Sequence, residues 1–153
     1  MAQNGPVLGA HKPIQEQRRE HDAFIDVKLP DIGKIEHLGI RGPHGTIPVR
    51  CYHPSRPGPA EEAALIYLHG GGFVVGSLDQ FETAMCHFAE ISGAYVYAVD
   101  YKLAPEYKWP VQLEEGEFIV KWLFETPYKE VWIQSALRWA ATAREATSPA
   151  LFR

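Results

Sequence analysis

The residues best suited to chemistry are His69-Gly70-Gly71-Gly72-Phe73, which directly follow a run of apolar side chains. Three successive glycines remove every Cβ from a strand end, so backbone N–H groups can turn inward and approach a ligand oxygen closely. Donors held in that way can form an oxyanion hole, where each contributes about 2.7–4 kcal/mol to a tetrahedral transition state in acyl transfer. A plain glycine-rich turn is the blander alternative, and three bare glycines would favour it. A phosphate cradle is a third, but neither G-x-G-x-x-G nor G-x-x-x-x-G-K-[ST] is present.

The flanking segments supply the elements that position such a loop. Ala63 to Leu68 is apolar without alternation, the pattern of a strand covered on both faces. Ser77 and Gln80 have the spacing of a capping box. Phe81, Ala84, Met85, Phe88 and Ile91 then recur at helical spacing up to Gly93, a C-terminal glycine. Ala94 to Val99 reads as a second buried strand. Pro110 opens a second helix, with Val111, Phe118, Ile119, Trp122 and Leu123 turned inward and Glu114, Glu115, Glu117 and Lys121 turned to solvent. Upstream, Ile35 to Arg41 and Thr46 to Tyr52 flank the turn Gly42-Pro43-His44-Gly45 as an antiparallel hairpin. Residues 1–34 hold one short polar helix and no motif. The order β-β, then β-α-β-α with right-handed crossovers, predicts an α/β class with a mostly parallel sheet.

Composition narrows the function classes. The 153 residues are 46% hydrophobic and 22% charged, as in one ordinary globular domain. Fifteen basic against nineteen acidic side chains give a net charge of -4, which argues against a nucleic-acid partner. No apolar run approaches the roughly 18 residues of a membrane span, and no signal-peptide pattern opens the chain, so a cytoplasmic location is expected. Cys51 and Cys86 lie far apart outside any C-x-x-C pair and read as small buried hydrophobes, with no metal site implied.

The stretch from Tyr67 to Ser77, followed by Asp100-Tyr101-Lys102-Leu103-Ala104-Pro105-Glu106 and Trp109-Pro110, resembles the hormone-sensitive-lipase-like branch of the α/β-hydrolase carboxylesterases. The resemblance runs from about Ile35 to Phe124. It implies the N-terminal part of an α/β-hydrolase fold, incomplete at the C-terminus. It also implies an oxyanion hole at His69, Gly70, Gly71 and Gly72, with N–H donation from Gly71 and Gly72. Asp100, Tyr101, Pro105 and Glu106 are then structural support for the loop. For His69, a buried loop-shaping role outweighs that of catalytic base. The implied substrates are short- to medium-chain acyl or aryl esters, with no cofactor, and residues 1–34 are a cap-like segment over the acyl pocket.

Such a hydrolase needs a serine in G-x-S-x-G, then an acid and a histidine. Ser55, Ser77, Ser92, Ser135 and Ser148 lack that glycine pattern, and every histidine, from His11 to His87, precedes the expected nucleophile. No triad is expected in the chain as written, which predicts inactivity; a small-molecule-binding pseudoenzyme or a nonfunctional fragment is the alternative. Back-translation of Glu130 to Thr147, read from the third base of each codon, permits G-V-D-P-K-R-I-A-V-G-G-D-S-A-G-G-N-L. Tryptophan has one codon, so Trp132-Ile133 forces Asp and Trp139-Ala140 forces Gly, both where the elbow pattern requires them. The expected division is a cap-like segment at 1–34, a partial hydrolase domain at 35–124, and an out-of-frame or non-family tail at 125–153. A genuine amphipathic helix at Val131 to Glu145 is the competing reading.

Overall fold

A computed structural model of the chain describes residues 12–23, 29–56 and 64–125. The hairpin forms as β1 (Lys34–Gly42) and β2 (Gly45–His53), paired antiparallel from Lys34↔His53 to Gly42↔Gly45. After it come β3 (Ala64–Leu68), α2 (Leu78–Ser92), β4 (Tyr95–Val99) and α3 (Val111–Glu125); a polar helix, α1 (Ile14–Asp22), precedes them all. The four strands make one sheet in the order β1-β2-β4-β3. Its β2–β4 pairing is antiparallel and its β3–β4 pairing parallel, in register from Ala64↔Tyr95 to Leu68↔Val99.

Alternation along the strands builds two cores, one on each face of the sheet. Ile47, Val49 and Cys51 of β2 and Tyr97 and Val99 of β4 pack with Ile119 and Leu123 of α3. Tyr52, Val96 and Ala98 point the other way, onto Met85, Cys86 and Ala89 of α2. The sheet is thus a filling between two helices, and β4 is buried on both faces as its unbroken apolar run predicts. Cys51 and Cys86 are free thiols inside these two cores. Burial pushes the Cys51 thiol up to about 12, so it stays protonated and behaves as a small hydrophobe.

Four local expectations need correction. β3 is apolar but only partly buried, because among the described residues it pairs on one side alone. The inward face of α2 is Leu78, Met85, Cys86 and Ala89. Ala84 is exposed, Phe88 is 53% exposed and Ile91 85%, so part of the predicted stripe faces away from the sheet. Ser77 does occupy the N-cap position of α2, but its side chain makes no cap bond; it donates to Asp22 at 3.1 Å, while Gln80 turns to His21. Glu115 is completely buried rather than solvent-facing. Its carboxylate accepts from the Lys102 backbone N–H at 2.9 Å and from Lys102 Nζ at 2.6 Å, and these bonds offset its desolvation. The tail after Glu125, with its competing frame and helix readings, lies outside the described residues.

Candidate active-site loop

The glycine cluster leaves the C-terminal end of β3 and turns back before α2. Gly71 has φ +127° and Gly72 φ +62°, and Phe73 follows at φ 64°, a left-handed conformation that costs a non-glycine residue about 1–2 kcal/mol. A Cβ on Gly71 would lie 1.9 Å from the Val75 carbonyl oxygen, and one on Gly76 would lie 2.5 Å from both the Gly70 oxygen and His69 Nδ1. Those two glycines are required by close approach. Gly70 differs: a Cβ there would meet nothing within 4 Å, and its φ is ordinary. The turn is closed by the N–H groups of Val74 and Val75, which both donate to the Gly71 carbonyl at 3.1 Å. Among the described residues, the N–H groups of Gly70, Gly71 and Gly72 donate to no protein acceptor, and Gly70 and Gly72 are exposed.

His69 starts the loop and is buried. Its Nδ1–H donates to the Gly70 carbonyl at 2.9 Å, and its ring stacks on Tyr101 at 4.3 Å and 13°. Nε2 is enclosed without a partner among the described residues. Burial holds the imidazole below its ordinary pKa, so it is neutral at pH 7.

The segment after β4 reaches the loop in two places. Tyr101 Oη donates to the His69 carbonyl at 2.5 Å, and the Ala104 N–H donates to the Phe73 carbonyl at 2.7 Å. Phe73 in turn sits against Tyr101 and Trp109, with ring centroids 6.0 and 5.8 Å apart. The other motif residues act at a distance. Asp100 is half-buried, its carboxyl pushed up by burial, and its N–H bonds the Pro48 carbonyl. Pro105 is exposed. Glu106 meets the loop only through Arg18, whose guanidinium takes both its carboxylate oxygens at 3.0 and 2.7 Å and also bonds the carbonyls of Ala104 and Val74. Arg18 therefore belongs to the site although residues 1–34 carry no motif. The signal for it in sequence was one arginine on a polar helix, indistinguishable from a solvated charge.

None of the described serines is poised as a nucleophile. Ser55 is bound to Glu90, Ser77 to Asp22 and Ser92 to the Phe88 carbonyl, and none of the three bonds a histidine. Among the described residues no cluster of three or more His, Cys, Asp or Glu could hold a metal ion, and no helix is long and apolar enough to cross a membrane.

A family profile described as the alpha/beta hydrolase fold matches residues 65–146, more than half of the chain. The chain belongs to the alpha/beta hydrolase fold family. The ethyl acetate hydrolase of Pseudomonas putida is 40% identical to this hydrolase-family chain over 127 residues, which are 79% of this chain and 40% of that protein. The esterase of Pyrobaculum calidifontis superposes with a TM-score of 0.68 at 30% identity, covering 84% of this chain and 42% of that one. An esterase of the bacterial hormone-sensitive lipase family superposes at 0.67 with 28% identity, covering 79% and 39%. The branch read from the two motifs is thus matched by structure as well. The hydrolase-family chain spans about two fifths of the length of these relatives.

Proposed function

We propose that this chain carries the oxyanion-stabilising part of a carboxylesterase active site. The observation that carries this reading is a glycine loop fixed at both ends whose Gly71 and Gly72 N–H groups have no acceptor among the described residues. Open space over Gly70 and Gly72 leaves the approach clear for an ester carbonyl. In the complete reaction a serine attacks that carbonyl, a histidine takes the serine proton and returns it to the leaving alcohol, and water then releases the acyl group. The loop lowers the barrier by meeting the oxygen as its negative charge develops. The relatives' names point to small esters, and we extend this to short- and medium-chain acyl and aryl esters, with residues 1–34 as a cap-like segment and no cofactor required. Two free, buried thiols suit the reducing cytoplasm where we place the chain.

Among the described residues no serine bonds a histidine, and on our reading the nucleophile, acid and base lie elsewhere. We attribute this to an out-of-frame tail from about Glu125, which leaves the chain inactive. The family match runs past that boundary to residue 146, so the codons across it are the decisive observation. If they do not spell the serine elbow in the shifted frame, that attribution is lost. A p-nitrophenyl acetate and butyrate assay of this chain beside a frame-corrected version tests the function itself, with turnover expected only from the corrected form. Turnover by this chain above a His69 variant and a buffer blank would sink the inactivity claim. The engaged state of Ser55, Ser77 and Ser92 favours a second reading, a small-molecule-binding pseudoenzyme, for which ester binding without turnover is the signature.

A further inference from the structure

We propose that Arg18 is the positioning residue of the glycine loop. The inference rests on the oxyanion-loop reading for its purpose, but the geometry behind it is independent of that reading. No residue of α1 is fully buried and Ile14 is its one apolar side chain, so burial of apolar surface contributes little to docking it. Polar contacts hold it instead, and Arg18 makes most of them. Nε donates to the Val74 carbonyl at 3.0 Å, Nη2 to the Ala104 carbonyl at 2.8 Å and to Glu106 Oε2 at 2.7 Å, and Nη1 to Glu106 Oε1 at 3.0 Å.

These bonds close a ring. The Ala104 N–H holds the Phe73 carbonyl, the Ala104 carbonyl holds Arg18, and Arg18 holds the carbonyl of Val74, the residue after Phe73. Val74 is also a residue whose N–H closes the turn onto Gly71. One planar guanidinium therefore fixes both the orientation of the turn at Val74 and its distance from the Ala104 segment. The aim of the Gly71 and Gly72 N–H groups follows from that peptide orientation. A lysine is a single point charge on a flexible stem and cannot hold three separate acceptors in one plane. Asp22 to Ser77 and His21 to Gln80 attach the same helix further along, but to the start of α2 and not to the glycine turn.

The test is an amide spectrum of the full chain labelled with ¹⁵N-glycine, recorded for the unaltered protein, Arg18→Ala, Arg18→Lys and Glu106→Gln. Lys12→Ala, which removes an exposed ion pair to Glu20 of the same helix, is the control. Gly71 and Gly72 signals are expected to move by more than a linewidth in both Arg18 variants and less in Glu106→Gln, with Gly93 and Gly116 in place. Millimolar guanidinium chloride, far below denaturing levels, is expected to return the Arg18→Ala signals toward their original positions, whereas Arg18→Lys is not itself a rescue. Unmoved Gly71 and Gly72 signals in Arg18→Ala, or equal movement in Lys12→Ala, would overturn the proposal. Should Arg18→Ala lose its fold, Arg18 is a general structural residue and the proposal fails unless Glu106→Gln, still folded, moves the loop glycines selectively. Because no step requires ester turnover, an inactive chain that passes this test separates the fate of the positioning role from that of the esterase reading.

Discussion

Tyr101 holds His69 twice: its hydroxyl donates to the His69 carbonyl at 2.5 Å, and its ring lies flat on the imidazole at 4.3 Å. The hydroxyl is buried deeply enough that its pKa is pushed up to about 12, so it remains a donor across the physiological range. Tyr101→Phe keeps the stacked ring and removes the donor, leaving a buried carbonyl unpaired. A loss of about 1–3 kcal/mol is expected from urea unfolding, and an unchanged midpoint would show that the carbonyl finds another partner.

The loop glycines are expected to separate by position. Gly71→Ala places a methyl within 1.9 Å of the Val75 oxygen at φ +127° and should cost at least about 3 kcal/mol. Gly72→Ala meets no atom and carries only the left-handed penalty of about 1–2 kcal/mol. Gly70→Ala, with neither clash nor positive φ, should leave the melting temperature unchanged while crowding the space over the donors. Equal destabilisation by all three would contradict this ranking.

Glu115 is a buried carboxylate held by two bonds from Lys102. Truncation in Glu115→Ala leaves a partly buried ammonium and a backbone N–H without their acceptor, and a loss of about 3–5 kcal/mol is expected. Glu115→Gln, which keeps one acceptor, should lose less. Denaturant midpoints measured side by side decide the order.

His69 should make stability depend on pH. The unfolded chain takes up the imidazole proton near 6.5 and the folded chain only at lower pH, because burial disfavours the charged ring. The contribution is therefore complete above about 6.5 and declines as the pH falls through 6.5 toward the folded value. Urea midpoints across this range should fall more steeply for the unaltered chain than for His69→Asn; parallel slopes would remove His69 as the cause.

Among the described residues β3 pairs on one side alone, and a strand edge left open there is expected to make the chain marginal. Leu68, Trp109 and Phe124 are exposed large apolar side chains. Fluorescence enhancement of an apolar dye and a broad thermal transition are expected. A sharp transition from a monomer would refute this.

Most of the architecture was legible because strand runs, turn glycines and helix periodicity are local signals. Among the described residues the hairpin, the two apolar strands and the three helices lie where those signals place them. What the pattern misplaced was settled by contacts between distant residues. Glu115 looks like a solvent-facing acid until Lys102 is brought beside it, and Phe88 and Ile91 continue a stripe that α2 turns away from the sheet. Ser77 and Gln80 have capping-box spacing, yet Asp22 and His21 compete for their side chains. At the site, the glycine loop stands out as one contiguous motif and Tyr101 lies in a second that carries the family resemblance, whereas Arg18 has meaning only through acceptors 56 to 88 residues further along.

That separation bears on the order in which the chain assembles. Closing a loop of such length costs entropy before any contact offsets it, so the sheet and its two helices can form while α1 is still unattached. Having no apolar side to hide, α1 can wait in water without inviting aggregation. The glycine turn is then expected to acquire its final shape late in folding, when an earlier-made helix returns to residues synthesised after it.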